Sequence, residues 1–481
     1  MSERYFMSNI AESQHFANLR IDKIEITSDK LTSRAGLTPF VRYLENINVF
    51  PTFERLFRSI RKNKKSQPLT SIFKQIICFL ADGTSSHMSY FDDLKTDEGY
   101  AAGIEVAPEQ MLSSHSVKRF FRKFSPVQYF NFRRLLQKLF IWRLNHEKPS
   151  VIILGVDTMV MDNNDAEQRH GVQPTYKKVK GFQPLQLNWK GYFVDAVFRG
   201  GSKHSNYSDT VQKMITYVVK QIRKHYSEDV PIILRCDSGF FDQKLFRCFQ
   251  GLDIGILCGG KHYADINELA GSVKLKHWEK YKKGEGDKAR VWSYYEFGDR
   301  RGTWEIDEFL RAFYCTQETD ETGQYLMEFV KHDSIIYTNI GMGGKIDEQL
   351  INANHGEMLK AGMIIETYFG RGSDELVNRA FKNFVSQKLP FKQFNMNATY
   401  YYLSLTAFLL LEAFKHDVCH DIIPVSSYAT TVRRQLFDIA GKIIRKSRYK
   451  ILKVTASIMK RLDFAALWER CNNPPIKFIW L

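Results

Sequence analysis

The chain of 481 residues is too long for one simple core and points to two to four structural units, and its 44% apolar content, with 36 Phe and 23 Tyr, is ample for globular packing. Its 69 Lys and Arg outnumber 53 Asp and Glu, a formal net charge of +16 that favours a polyanionic partner, since basic side chains near phosphates release condensed counterions. Seven scattered cysteines without a CxxC pair exclude a disulfide framework and a zinc knuckle, and read as reduced structural thiols.

The N-terminal MSERYFMSNIAES is polar and lacks an apolar h-region, so a cytoplasmic protein is expected. Residues 1–148 read as a helical N-terminal region whose basic stretches suit DNA binding. From Phe40 to Phe124 the apolar spacing is helical. The run Arg58 to Ser66 looks like an exposed basic arm or loop. SSHSVKRFFRKFSP starts with a serine N-cap and carries Lys118, Arg119, Arg122 and Lys123 on a short helix suited to lie against DNA, although a solvated basic face has the same composition.

After Pro149 the pattern changes. VIILGVD, GFQPLQLNW and GYFVDAVFRGG read as three consecutive strands, followed by a helix near Tyr207 to Tyr226, the strand VPIILRCD, the helix FDQKLFRCFQG and the strand DIGILCGGK. Three strands and then strand–helix alternation predict a mixed sheet flanked by helices, with residues 149–260 as the first part of the core. Residues 261–330, with glycine-rich charged turns between short aromatic strands, read as a β-rich insertion. The core resumes over 331–417 with DSIIYTNI, a helix from about Ala361 and a buried helix from Thr399 to Phe414, too short in its apolar run to span a membrane. The tail, 418–481, carries ten Lys or Arg against one acid between Thr431 and Arg461 and reads as basic amphipathic helices favouring phosphate contact.

Two of these strands end in aspartates, Asp157 and Asp237. In YFGRGSDELVNRAFK, Tyr368, Arg371, Glu375 and Lys382 follow at spacings of three, four and seven, which predicts one helix with all four on one side. Asp157, Asp237 and Glu375 together form a carboxylate triad suited to two hard divalent ions, Mg²⁺ or Mn²⁺. Arg371, Lys382 and Tyr368 are then placed to contact a phosphate beside the metals, the alternative being a solvent-facing ion-pair ladder. Asp162, five residues after Asp157, is the less favoured acid.

With these residues in view, the chain resembles bacterial insertion-sequence transposases of the DDE class, in the branch with a Y-x2-R-x3-E-x6-K signature, which Tyr368, Arg371, Glu375 and Lys382 satisfy throughout. FRGGSKHSN, RCDSGF, the β-insertion and TVRRQLFDIAGKIIR extend the likeness toward the group related to piggyBac elements. The resemblance implies an RNase H-like core with Asp157, Asp237 and Glu375 as catalytic metal ligands. It also implies an enzyme that binds terminal inverted repeats, cuts the transposon ends and joins freed 3′-hydroxyls to target DNA, acting as a homodimer on double-stranded DNA. Members with a β-insertion often pass through hairpin ends, with an aromatic side chain stacking a flipped base; Trp292 and Trp304 are the candidates here, and core packing suits them equally. A metal-dependent nuclease that cannot join ends, or a non-catalytic DNA-binding descendant, are the alternative readings.

Overall fold

A computed structural model describes residues 21, 23–61, 67–302, 304, 309–320, 322–327 and 330–479. Its centre is one nine-stranded sheet of β1 (Ile152–Thr158), β2 (Leu185–Trp189), β3 (Tyr192–Val197), β4 (Ile232–Cys236), β5 (Gly255–Gly259), β6 (Glu279–Lys283), β7 (Arg290–Asp299), β8 (Leu310–Gln317) and β9 (Asp333–Thr338). In space the order is β6-β7-β8-β9-β5-β4-β1-β2-β3. Only β1, β4 and β5 run parallel to their neighbours among themselves; all other pairings are antiparallel. The run IILRC in β4, apolar but for Arg235, is buried along its whole length, as a strand covered on both faces requires.

Helices supply the cover. Pro126–Glu147, Thr210–His225 and Phe394–Phe414 all pack on β3. Phe394–Phe414 is buried almost throughout, which explains its unbroken apolar sequence. No helix among the described residues is long and apolar enough to cross a membrane. The N-terminal helices gather round an aromatic cluster in which Phe57 meets Phe73, Phe124 and Phe132 at ring separations of 4.4 to 5.7 Å. All seven cysteines are unpaired, and all but Cys248 are buried.

Three expectations are corrected. GFQPLQLNW is two strands, because Pro184 has no N–H to continue a ladder: Lys180–Phe182 joins a small sheet with Met161–Asp162 and Gln173–Pro174, and Leu185–Trp189 joins the main one. The aromatic strands of the 261–330 stretch do form, but they extend the main sheet edge through β9. The basic tail is not wholly helical. Gly441–Lys446 and Tyr449–Lys453 make an antiparallel hairpin whose first strand pairs with Lys30–Thr32, and helices Ala456–Arg461 and Phe464–Asn472 follow. KIIRKSRYKILK carries its apolar residues as adjacent pairs, Ile443–Ile444 and Ile451–Leu452, which mark neither a strand nor a helical period, and the long-range pairing decides. Of the basic arm, Arg58–Ile60 is a short 3₁₀ turn, and residues 62–66 lie outside the described residues, as does MSERYFMSNIAES.

Candidate active site

Register places the two aspartates. Gly155 of β1 pairs in parallel with Arg235 of β4, so two residues further along each strand Asp157 and Asp237 stand level and on the same face. Asp157 is the penultimate residue of β1; Asp237 follows the last residue of β4 and opens a turn in which its Oδ1 accepts the Gly239 N–H at 2.9 Å. Asp157 Oδ1 accepts its neighbour Thr158 N–H at 2.7 Å.

The signature segment then crosses this face, as two helices rather than the one expected. Ala361–Phe369 carries Tyr368, and Gly372–Phe384 carries Glu375 and Lys382. Between them Arg371 N–H and Asp374 N–H bond to carbonyls three residues back, the tighter 3₁₀ pattern that turns the axis. Arg235 fixes the bend: its Nη1 donates to Thr367 O on the first helix at 3.1 Å and its Nη2 to both oxygens of Asp374 on the second at 2.9 and 3.0 Å. Two strand glycines make room. A Cβ on Gly155 would collide with the Asp374 carboxylate, and one on Gly259 would come within 2.6 Å of the Tyr368 hydroxyl.

The bend leaves Glu375 exposed toward the aspartates, with no hydrogen bond or ion pair recorded for it among the described residues. Burial pushes Asp157 up to about 6, and the charges of Asp237 and Glu375 add to the rise while Arg371 opposes it. Asp157 therefore feels the charge of both other acids. Arg371 Nη1 lies 3.9 Å from Asp237 Oδ2. Burial pulls its guanidinium down, but Tyr368, Asp237, Asp157 and Glu375 outweigh this and hold it above its usual value. Burial, then Lys177, lowers Lys382, against the pull of Asp157 and Asp162. The predicted acids and the three phosphate-contact candidates thus share one electrostatic neighbourhood.

Other predicted residues lie elsewhere. Lys118 and Arg119 of Ser114–Phe121, and Arg122 just after it, are exposed while Val117, Phe120 and Phe121 are buried; Ser113 Oγ caps the helix by accepting the Ser116 N–H. No recorded bond links them to the acids. Trp292 is 3% exposed and stacks between Tyr281 and Phe369, while half-buried Trp304 packs on Phe241 and Phe246. Trp292 is a core residue in this conformation, whereas Trp304 keeps part of its surface exposed. Asp162 is exposed and accepts the Asn164 N–H, a turn-capping role that accords with the preference for Asp157.

Sequence reasoning passed over three side chains at this site. Asn378 Nδ2 donates to Asp157 Oδ2 at 3.1 Å, and its own buried Oδ1 has no partner; its place three residues after Glu375, on the same helical face, was the available signal. Tyr176, 61% exposed, is raised first by partial burial and then by Asp157, Asp237 and Glu375, and Lys177 next to it faces Lys382. Both sit in the turn between Gln173–Pro174 and Lys180–Phe182, which gives no motif.

Clustered carboxylate oxygens suit a hard divalent cation. Among the described residues no three His, Cys, Asp or Glu side chains converge as a closed ion cage. Asp157, Asp237 and Glu375 are the oxygen donors that such a cation would take.

A family model described as transposase DDE domain group 1 matches residues 17–475. A structural comparison finds the cryo-EM structure of the piggyBac transposase synaptic complex with hairpin DNA at 12% identity and a TM-score of 0.39, covering 83% of this chain and 80% of that one. No curated protein matches the chain.

Proposed function

Because the chain belongs to the transposase DDE domain family, we propose that it is a DNA transposase that binds the terminal inverted repeats of its insertion sequence, cuts there and joins the ends to target DNA. The observation that carries the site assignment is the level placement of Asp157 and Asp237 on parallel strands, with Asp237 and Glu375 both adding to the rise in pKa that burial gives Asp157. The order β3-β2-β1-β4-β5 with a parallel β1-β4-β5 centre supports an RNase H-like core.

Asp157, Asp237 and Glu375 would hold two Mg²⁺ or Mn²⁺ ions. When bound, such ions supply Lewis acidity at the attacking and leaving oxygens of a phosphodiester. The chain's own residues do the rest. Asn378 steers Asp157 by holding Oδ2, leaving the carboxylate one defined rotamer. Arg371, Lys382 and Tyr368 offer positive charge and a hydroxyl to the non-bridging phosphate oxygens. In cleavage a water oxygen bonds to phosphorus and the P–O3′ bond breaks, leaving a 3′-hydroxyl and a 5′-phosphate. In joining, that 3′-oxygen attacks a target phosphorus and displaces the target's own 3′-oxygen, so the number of phosphodiesters is conserved. Two ends must be held together for this, for which a homodimer on DNA is the simplest arrangement.

Asp157→Asn, Asp237→Asn and Glu375→Gln should each abolish Mn²⁺- or Mg²⁺-dependent nicking of DNA carrying the sequences that flank the gene, while duplex binding persists. Retained nicking in any one variant removes that residue from the triad. Nicking without any joined product by the unaltered protein identifies a nuclease instead.

A further inference from the structure

The C-terminal hairpin has no part in the catalytic face just described. We infer that Gly441–Lys453 is a two-stranded β-ribbon that docks in a groove of double-stranded DNA, a contact that rests on the transposase reading and is separate from the active site.

The ribbon is anchored at its base and bare at its tip. Gly441 is buried and Lys30–Thr32 pairs along Gly441–Ile443, whereas Arg445, Lys446, Ser447, Arg448, Tyr449 and Lys450 are all exposed, Tyr449 at 74%. The strands reverse through Ser447 and Arg448, with Ser447 at a φ of 54°, so the turn is short and the tip narrow. Antiparallel register sets Arg445 directly opposite Lys450, and Lys442 opposite Lys453. Like charges facing each other across a ladder repel. Lys442 is relieved by Asp29 at 2.7 Å, but no ion pair is recorded for Arg445, Lys446, Arg448, Lys450 or Lys453 among the described residues. From Ile439 to Leu462 the chain has no acidic residue at all. A surface that gathers cations against their mutual repulsion, with Asp29 at its base as the one paired counter-charge among the described residues, is completed by an external polyanion.

Shape selects the polyanion. The major groove of B-form DNA is about 12 Å wide and about 8.5 Å deep and admits a two-stranded ribbon. At about 3.4 Å per residue, that depth takes two to three residues from each strand, which is the length of the exposed tip. The A-form RNA groove is too narrow for the same entry. Within the tip Arg445, Lys446, Arg448 and Lys450 meet phosphates at the groove walls, and Tyr449 brings a ring with a polar end to the base edges.

The test uses the full chain with Arg445→Gln, Lys446→Gln, Arg448→Gln and Lys450→Gln combined, and fluorescence anisotropy on a short fluorescein-labelled DNA duplex of mixed sequence across a salt series. Each lost phosphate contact lowers the slope of log K against log salt by about 0.9, so a loss of about 2 to 4 is expected, with an unfolding midpoint equal to or above that of the unaltered protein. Arg445→Lys with Arg448→Lys should keep the slope. An unchanged slope in the Gln variant, or an RNA duplex of the same sequence bound as tightly and weakened as much, overturns the inference, while nicking and end joining by the unaltered protein uphold the transposase reading. Failure of the unaltered protein both to bind duplex and to nick overturns the two together.

Discussion

Removing one member of the Arg235–Asp374 pair separates stability from positioning. Their side chains are only 10% and 8% exposed, and they share bonds of 2.9 and 3.0 Å. Asp374→Ala leaves a guanidinium buried with the Thr367 carbonyl as its remaining partner, and stranding a buried charge in this way costs about 3 to 5 kcal/mol. Burial nevertheless holds the Asp374 carboxyl above its ordinary range in spite of Arg235, so desolvation outweighs the attraction and the pair as such adds little to stability. Replacing both with apolar side chains of similar length, Arg235→Met with Asp374→Leu, should therefore recover stability to within about 1 kcal/mol of the unaltered protein. It should not recover function. Without the bridge from Thr367 to Asp374 the bend before Glu375 is no longer fixed, and a displacement of the order of 1 Å lowers the nicking rate about 100-fold. Urea unfolding followed by tryptophan fluorescence and a plasmid nicking assay measure the two quantities. An Asp374→Ala protein within about 1 kcal/mol of the original, or a double variant that nicks at the original rate, refutes this reasoning.

Burial pushes Glu412 up to about 7 despite Lys415 at 2.7 Å. Its folded value exceeds the unfolded one, so the contribution to stability is complete below about pH 4.3 and lost as pH rises through about 7. Glu412→Gln should flatten that part of the thermal stability profile, and an unchanged fall between pH 5 and pH 8 would contradict it. Asn378→Ala should slow nicking about 10- to 100-fold, the value of one hydrogen bond to a charged group, with duplex affinity unaltered; nicking at the original rate would show that Asp157 is held without it. Trp292→Ala should cost about 3 to 5 kcal/mol in the absence of DNA, as a core truncation does. Unaltered stability combined with a selective loss of end processing would restore its role as a base-stacking residue.

Much of the core was legible because its signals are local. The apolar runs before Asp157 and Asp237 are strands, and the helix from Thr210 lies within the stretch read from Tyr207. The spacing of Tyr368, Arg371, Glu375 and Lys382 also marked the right residues, but it hid the bend, because Gly370 and Arg371 keep right-handed dihedrals and only the long-range bonds of Arg235 show where the axis turns. The C-terminal hairpin escaped for a related reason: its partner, Lys30–Thr32, lies some four hundred residues away in sequence. Tyr176 and Lys177 are near the acids only because a small sheet folds their turn inward, and nothing in their composition says so.

The parallel register of β1 and β4 makes the candidate chemistry a matter of offset. A slip of a single residue between these strands would turn one aspartate to the far side of the sheet and dismantle the cluster without changing any side chain. Lengthening the turn over residues 203–208, outside any strand or helix, leaves the offset intact, since pairing is set within the strands. Gains and losses of residues should therefore spare nicking in that turn and abolish it within Ile152–Asp157 or Ile232–Asp237, even where every side chain of the cluster is kept.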